Sequence, residues 1–156
     1  MTETPLVTRV RRALDAAGDG SAAVKAVVEI VHESSGRYDW TGVYLLEGAE
    51  TLVLSHFVGE PTPHTRIPLD SGICGAAARE KRTLIVADVN ADTRYLSCSI
   101  RTRSEIVVPV IRDGVVYGEI DIDSWTPDAF GPADRNELEQ VAALLAERLA
   151  TREVSR

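Results

Sequence analysis

The chain has 156 residues, 44% of them hydrophobic and 26% charged, which suits one soluble domain with a real core. Its net charge of −7 argues against nucleic acid or an anionic membrane as a partner, and no apolar run approaches membrane-spanning length. The first twenty residues, MTETPLVTRVRRALDAAGDG, lack a secretory apolar core, so the cytoplasm is the expected compartment. In that reducing setting the two cysteines, Cys74 and Cys98, are either inert or reactive rather than a structural disulfide.

In chain order, residues 1–36 read as two helices. Thr4 caps the first, Pro5 occupies its first position, and Gly18 ends it. Ser21 is the expected cap of the second, whose Val24, Val27, Val28 and Val31 share one face. The sheet and its loops are expected over residues 38–125. Tyr38 to Glu47 reads as a strand in which Trp40, Gly42 and Tyr44 point one way by period-two alternation. Gly48-Ala49-Glu50 turns the chain into a second strand, Thr51 to Val58. Arg66-Ile67-Pro68 is a short extended piece. Ser71-Gly72 opens a short helix with Cys74 in its first turn, where the helix dipole favours a thiolate. Leu84 to Val86 is a short buried strand, and the polar stretch Asp88 to Arg103 forms a loop of functional length. The final helix is expected over residues 132–151 with Leu138, Val141, Ala142, Leu145 and Leu149 as its apolar stripe.

Between that loop and the final helix lies SEIVVPVIRDGVVYGEIDIDS, residues 104–124, two apolar strands joined at Arg112-Asp113-Gly114. Its far end carries Glu105, Asp121 and Asp123. Asp is a poor strand former, and buried acids rarely lack a partner. Whether the three acids meet depends on register. A two-residue turn at Asp113-Gly114 puts Glu105 on the face of Ile122, away from Asp121. A three-residue loop with a left-handed Gly114 puts Glu105 opposite Asp121, and this is the expected form. Acids facing one another across a sheet call for a bound cation or a shared proton.

These segments taken together, DWTGVYLLEG, RIPLDSGICGAAARE, LSCSIRTRSEIVVPV and GEIDIDS, resemble the GAF-domain free methionine-(R)-sulfoxide reductases, over roughly residues 38–147. The resemblance implies an α+β fold related to PAS domains: an antiparallel sheet of about five or six strands with N- and C-terminal helices packed on it. It implies that Cys98 is the catalytic thiol and that Cys74 resolves its oxidised form. It makes Glu105, Asp121 and Asp123 the acids that hold an amino-acid substrate, and Trp40 and Tyr44 the aromatics of the pocket. His64 stands where the family usually has a third cysteine. It is a plain loop residue, an auxiliary base, or, with Cys74 and Cys98, a soft metal ligand. No resident cofactor is expected, the reductant being an external thioredoxin-like dithiol; a homodimer is common in the family. The alternatives are a ligand-sensing GAF domain without turnover and a variant enzyme using His64 in metal-dependent or other amino-acid chemistry.

Overall fold

A computed structural model of the chain describes residues 3–96 and 99–154, with side chains through residue 151. Helix α1 spans Pro5–Ala16 and α2 spans Gly20–Glu33. Strands β1 (Trp40–Glu47), β2 (Thr51–Val58) and β3 (Arg66–Pro68) follow. Helix α3 (Gly72–Glu80) and β4 (Leu84–Val86) lead to a 3₁₀ turn at Val89–Ala91. Strands β5 (Ser104–Arg112) and β6 (Val115–Ser124) and helix α4 (Pro132–Val154) complete the described chain. All six strands join one antiparallel sheet in the order β3-β2-β1-β6-β5-β4. The α+β expectation holds, with six strands.

Capping follows local chemistry. Thr4 accepts from the Val7 amide as expected. The second cap is corrected. Asp19, not Ser21, is extended and accepts from the Ala22 amide at 2.8 Å, because a carboxylate two residues earlier satisfies the first-turn donor before Ser21 is reached. Strand β1 begins at Trp40 rather than Tyr38, whose hydroxyl is committed to Asp134.

The sheet separates two cores. On one face Val43, Ile106, Val108, Val110, Ile120 and Ile122 pack beneath α1, α2 and α4. On the other, Trp40, Tyr44, Val107 and Cys74 pack with α3 and the connecting loops.

The hairpin β5–β6 corrects the expected register. Asp113 and Gly114 have φ of 52° and 77°, the two left-handed positions of a two-residue type I′ turn, and Arg112 pairs with Val115. The three-residue loop is therefore not formed. A β-bulge follows at once: Ile111 pairs with Val116, but Val110 pairs with Gly118, leaving Tyr117 as the extra residue. One inserted residue reverses side-chain parity for the rest of the strand. Glu105 thus falls opposite Asp123 instead of Asp121, yet on the same face as both.

Candidate functional site

The β1–β6 pairing builds the site face. Tyr44 lies opposite Glu119, Gly42 opposite Asp121 and Trp40 opposite Asp123. With Glu105 opposite Asp123, four carboxyl groups stand on this face, each no more than 5% exposed. Glu119 is the one overlooked when GEIDIDS is read for its last two acids alone, Asp121 and Asp123. The same period-two alternation that aligns Asp121 with Asp123 includes it.

Burial dominates the electrostatics. It raises the pKa of Asp121 and raises Glu119 and Asp123 well above the carboxyl range. The charge of Asp121 pushes both neighbours further up. Hydrogen bonding with Glu105 works the other way on Asp121 and Asp123, as does Thr102 on Asp123. Asp121 Oδ1, Asp123 Oδ1 and both Glu119 oxygens are buried without a hydrogen-bond partner of ordinary geometry. The Cys74 thiol is the group that favours the Glu119 carboxylate. This is a cluster that favours holding protons or a cation, and an added donor gains most at its unpartnered oxygens.

Cys74 occupies the first turn of α3, as expected, but the expected thiolate is corrected. Complete burial holds its pKa well above the ordinary thiol value, and the charges of Asp121, Glu119 and Glu105 push it higher. The helix dipole of one short helix does not outweigh desolvation beside three acids.

Trp40 lies flat along the sheet. A Cβ at Gly42 would come within 2.4 Å of its ring, so only glycine at this position lets the indole take that pose. Its Nε1 donates to the Glu60 carbonyl at 2.9 Å, and Phe57 stacks on it at 5.7 Å. Tyr44 is fully buried and donates to the His64 carbonyl at 2.7 Å, tying down the loop that follows β2.

Two small cavities flank the acids. One, of about 20 Å³, is lined by Tyr44, His64, Ile73, Cys74, Glu105 and Asp121, and admits roughly one water. The other is a cleft between Trp40 and Trp125, with Thr62, Ser99, Thr102 and Asp123 in its walls. The structure therefore brings Trp40, Tyr44, Cys74, Glu105, Asp121 and Asp123 to one face, with His64 at the edge. Cys98 lies outside the described residues, although Leu96 lines the first cavity and Ser99 the second. Arg94 is engaged by Asp92 at 2.8 Å and by Glu80. Trp125 had a legible signal, an aromatic residue immediately after the acidic strand end.

Among the described residues, donor atoms of Cys74, Glu105 and Asp121 all lie within 4.8 Å of one another, a sulfur and two oxygens that could hold a borderline cation such as zinc. His64 is not among them. Cys98, the third member of the expected set with His64 and Cys74, lies outside the described residues.

The family pattern described as GAF domain matches residues 19–149. The chain is 40% identical over 110 residues to the free methionine-R-sulfoxide reductase of Saccharomyces cerevisiae, covering 69% of this chain and 61% of that protein. It is 34% identical over 122 residues to the Escherichia coli free methionine-R-sulfoxide reductase, covering 78% of this chain and 73% of that one. The chain thus spans less than two thirds of the yeast relative's length. The structure of the free methionine-R-sulfoxide reductase from Neisseria meningitidis in complex with its substrate superposes with a TM-score of 0.90 at 31% identity, over 97% of this chain and 90% of that one. By sequence and by fold, the chain belongs to the GAF-domain free methionine-R-sulfoxide reductase family.

Proposed function

We propose that this protein reduces free L-methionine-(R)-sulfoxide to methionine at the acid-lined face of its sheet. The observation that carries the reading is the convergence of Glu105, Asp121 and Asp123 beside Trp40, with buried oxygens on both aspartates lacking partners. A free amino acid brings an ammonium group, which such a cluster accepts through charge-assisted hydrogen bonds. A carboxyl group that retains its proton can also donate to the sulfoxide oxygen as it leaves the sulfur. Trp40 covers the apolar end of the substrate and keeps bulk water out.

The chemistry needs two thiols in different roles. The Cys98 sulfur attacks the sulfoxide sulfur, the S–O oxygen passes to Cys98, and methionine leaves. Cys98 becomes a sulfenic acid. The Cys74 sulfur then attacks Cys98, forming the disulfide and releasing the oxygen as water. An external dithiol, thioredoxin-like in the cell, reduces the disulfide back to two thiols and is itself oxidised. The raised pKa of Cys74 supports this division: a thiol held protonated among carboxylates does not compete with Cys98 for the substrate. The reading places the protein in the cytoplasm; among the described residues no helix is long and apolar enough to cross a membrane.

The test is methionine formation from the free (R)-sulfoxide with a dithiol reductant. Cys98→Ser is expected to abolish it. Cys74→Ser is expected to retain a single turnover while slowing recycling. Full activity in Cys98→Ser would overturn the assigned nucleophile. Ligand-induced stabilisation without turnover in wild type would instead identify a sensor. A second reading, a divalent cation at Cys74, Glu105 and Asp121, is favoured by their donor spacing and is checked by elemental analysis of gently purified protein.

A further inference from the structure

The acid cluster accounts for one end of a free amino acid and not the other. The cleft between Trp40 and Trp125 ends at Asp123, and the charged residues that line it are Glu60 and Asp123, both acidic. An α-carboxylate lies only two bonds from the ammonium nitrogen, so a zwitterion seated at Asp123 carries its anion into this cleft, where repulsion would work against it. A cation is close by. The Arg101 guanidinium stands 4.9 Å from the ring centre of Trp125 and its Nη1 lies 3.1 Å from Glu60 Oε1. Its side chain therefore spans the cleft mouth, from a carboxylate on one wall to an aromatic face on the other. The Arg101 amide is also fixed, donating to Ser99 Oγ at 3.1 Å, and Ser99 is itself in the wall.

We infer that Arg101 binds the α-carboxylate of the amino-acid ligand, exchanging Glu60 for it when the cleft fills. The inference rests on the acid cluster being the ammonium receptor. The exchange is cheap, because the Arg101 and Glu60 side chains are 60% and 48% exposed and an ion pair of that kind contributes little. The replacement is better: a ligand carboxylate walled by two indole rings is less hydrated than Glu60, and the planar guanidinium suits it bidentately. Stacking on Trp125 holds the guanidinium plane in place during the exchange. Arg101 is then what makes the site prefer a free amino acid to one whose carboxyl group is blocked by an amide.

The experiment compares L-methionine-(R)-sulfoxide with its α-carboxamide in wild type, Arg101→Gln, Arg101→Lys and Glu60→Gln, reading KM and kcat, and in parallel reads thermal stabilisation by L-methionine and by L-methioninamide. In wild type the amide is expected to raise KM by about 10- to 100-fold, the scale of one hydrogen-bonded charge. Arg101→Gln raises KM for the free acid by a similar factor and erases the difference between acid and amide, while Arg101→Lys recovers part of it. Glu60→Gln, which removes the competitor, lowers KM. If the pair merely braced the loops, Arg101→Gln and Glu60→Gln would shift KM in the same direction and penalise acid and amide alike; that result overturns the inference. So does a wild type that handles the amide as well as the acid. The stabilisation series needs no turnover. Discrimination there with no methionine formed would leave the carboxylate anchor standing while the reductase reading fails.

Discussion

The two faces of the sheet are built from the same strands and could hardly differ more. Residues Ile106, Val108, Ile120 and Ile122 face the helices and are fully or almost fully excluded from water. Their immediate neighbours along the same strands, Glu105, Glu119, Asp121 and Asp123, face the other way and are buried too, but as acids, and Glu119, Asp121 and Asp123 keep oxygens without a hydrogen-bond partner. Burial on the first face stabilises the fold. On the second it costs stability, because removing a carboxylate from water is unfavourable until a cation or proton compensates it. The difference shows where stability is made and where it is spent on binding.

This comparison can be broken in graded ways. On the helix face, Ile122→Ala should cost about 2–5 kcal/mol, measured by chemical denaturation, and should leave ligand affinity in the surviving folded protein near that of wild type. On the site face, Glu119→Gln should act in the opposite direction. The folded-state pKa of Glu119 is raised from 4.5, so between that value and its folded value the native state holds a proton that the unfolded state has released. Native stability therefore falls as pH rises through this window, and Asp121 and Asp123 act with the same sign from 3.8 upward. Thermal denaturation should show Glu119→Gln more stable than wild type at pH 8, on the order of 1–3 kcal/mol, and no more stable at pH 4. A wild type whose stability rose steadily from pH 5 to pH 8 would count against the unpaired buried acids. At the sheet edge, Arg66→Ala removes an exposed ion pair with Glu47 and should change stability by less than about 0.5 kcal/mol. A larger loss there would mean that edge electrostatics, and not the two faces, govern the fold.

Much of this contrast is legible in the sequence. Period-two alternation in GEIDIDS separates Ile120 and Ile122 from Asp121 and Asp123, and the Asp-Gly pair marks the turn. The register was not legible in detail. The two-residue turn alone would have sent Glu105 to the helix face, and the bulge at Tyr117 that returns it has no marker of its own beyond the neighbouring Gly118. That glycine is demanded by the close approach of β1: a Cβ there would sit 2.1 Å from the Tyr44 carbonyl oxygen, a contact between strands far apart in sequence. The protonated state of Cys74 escaped for a similar reason. Its position in a first turn is local information, whereas the acids that raise its pKa come from β5 and β6. The flat pose of Trp40 over Gly42 is likewise a tertiary fact, although Trp-x-Gly spacing is present in the chain.

The most direct measurement is on Asp123→Asn, which keeps shape and removes one acid from the centre of the site face. Methionine formation from the free (R)-sulfoxide and thermal stability at pH 8 should be read on the same preparation. The expected result is a fall of about 10- to 100-fold in kcat/KM together with a higher Tm. An Asp123→Asn protein as active as wild type, or one that loses activity and stability together, would contradict the claim that this face gives up stability in order to grip its substrate.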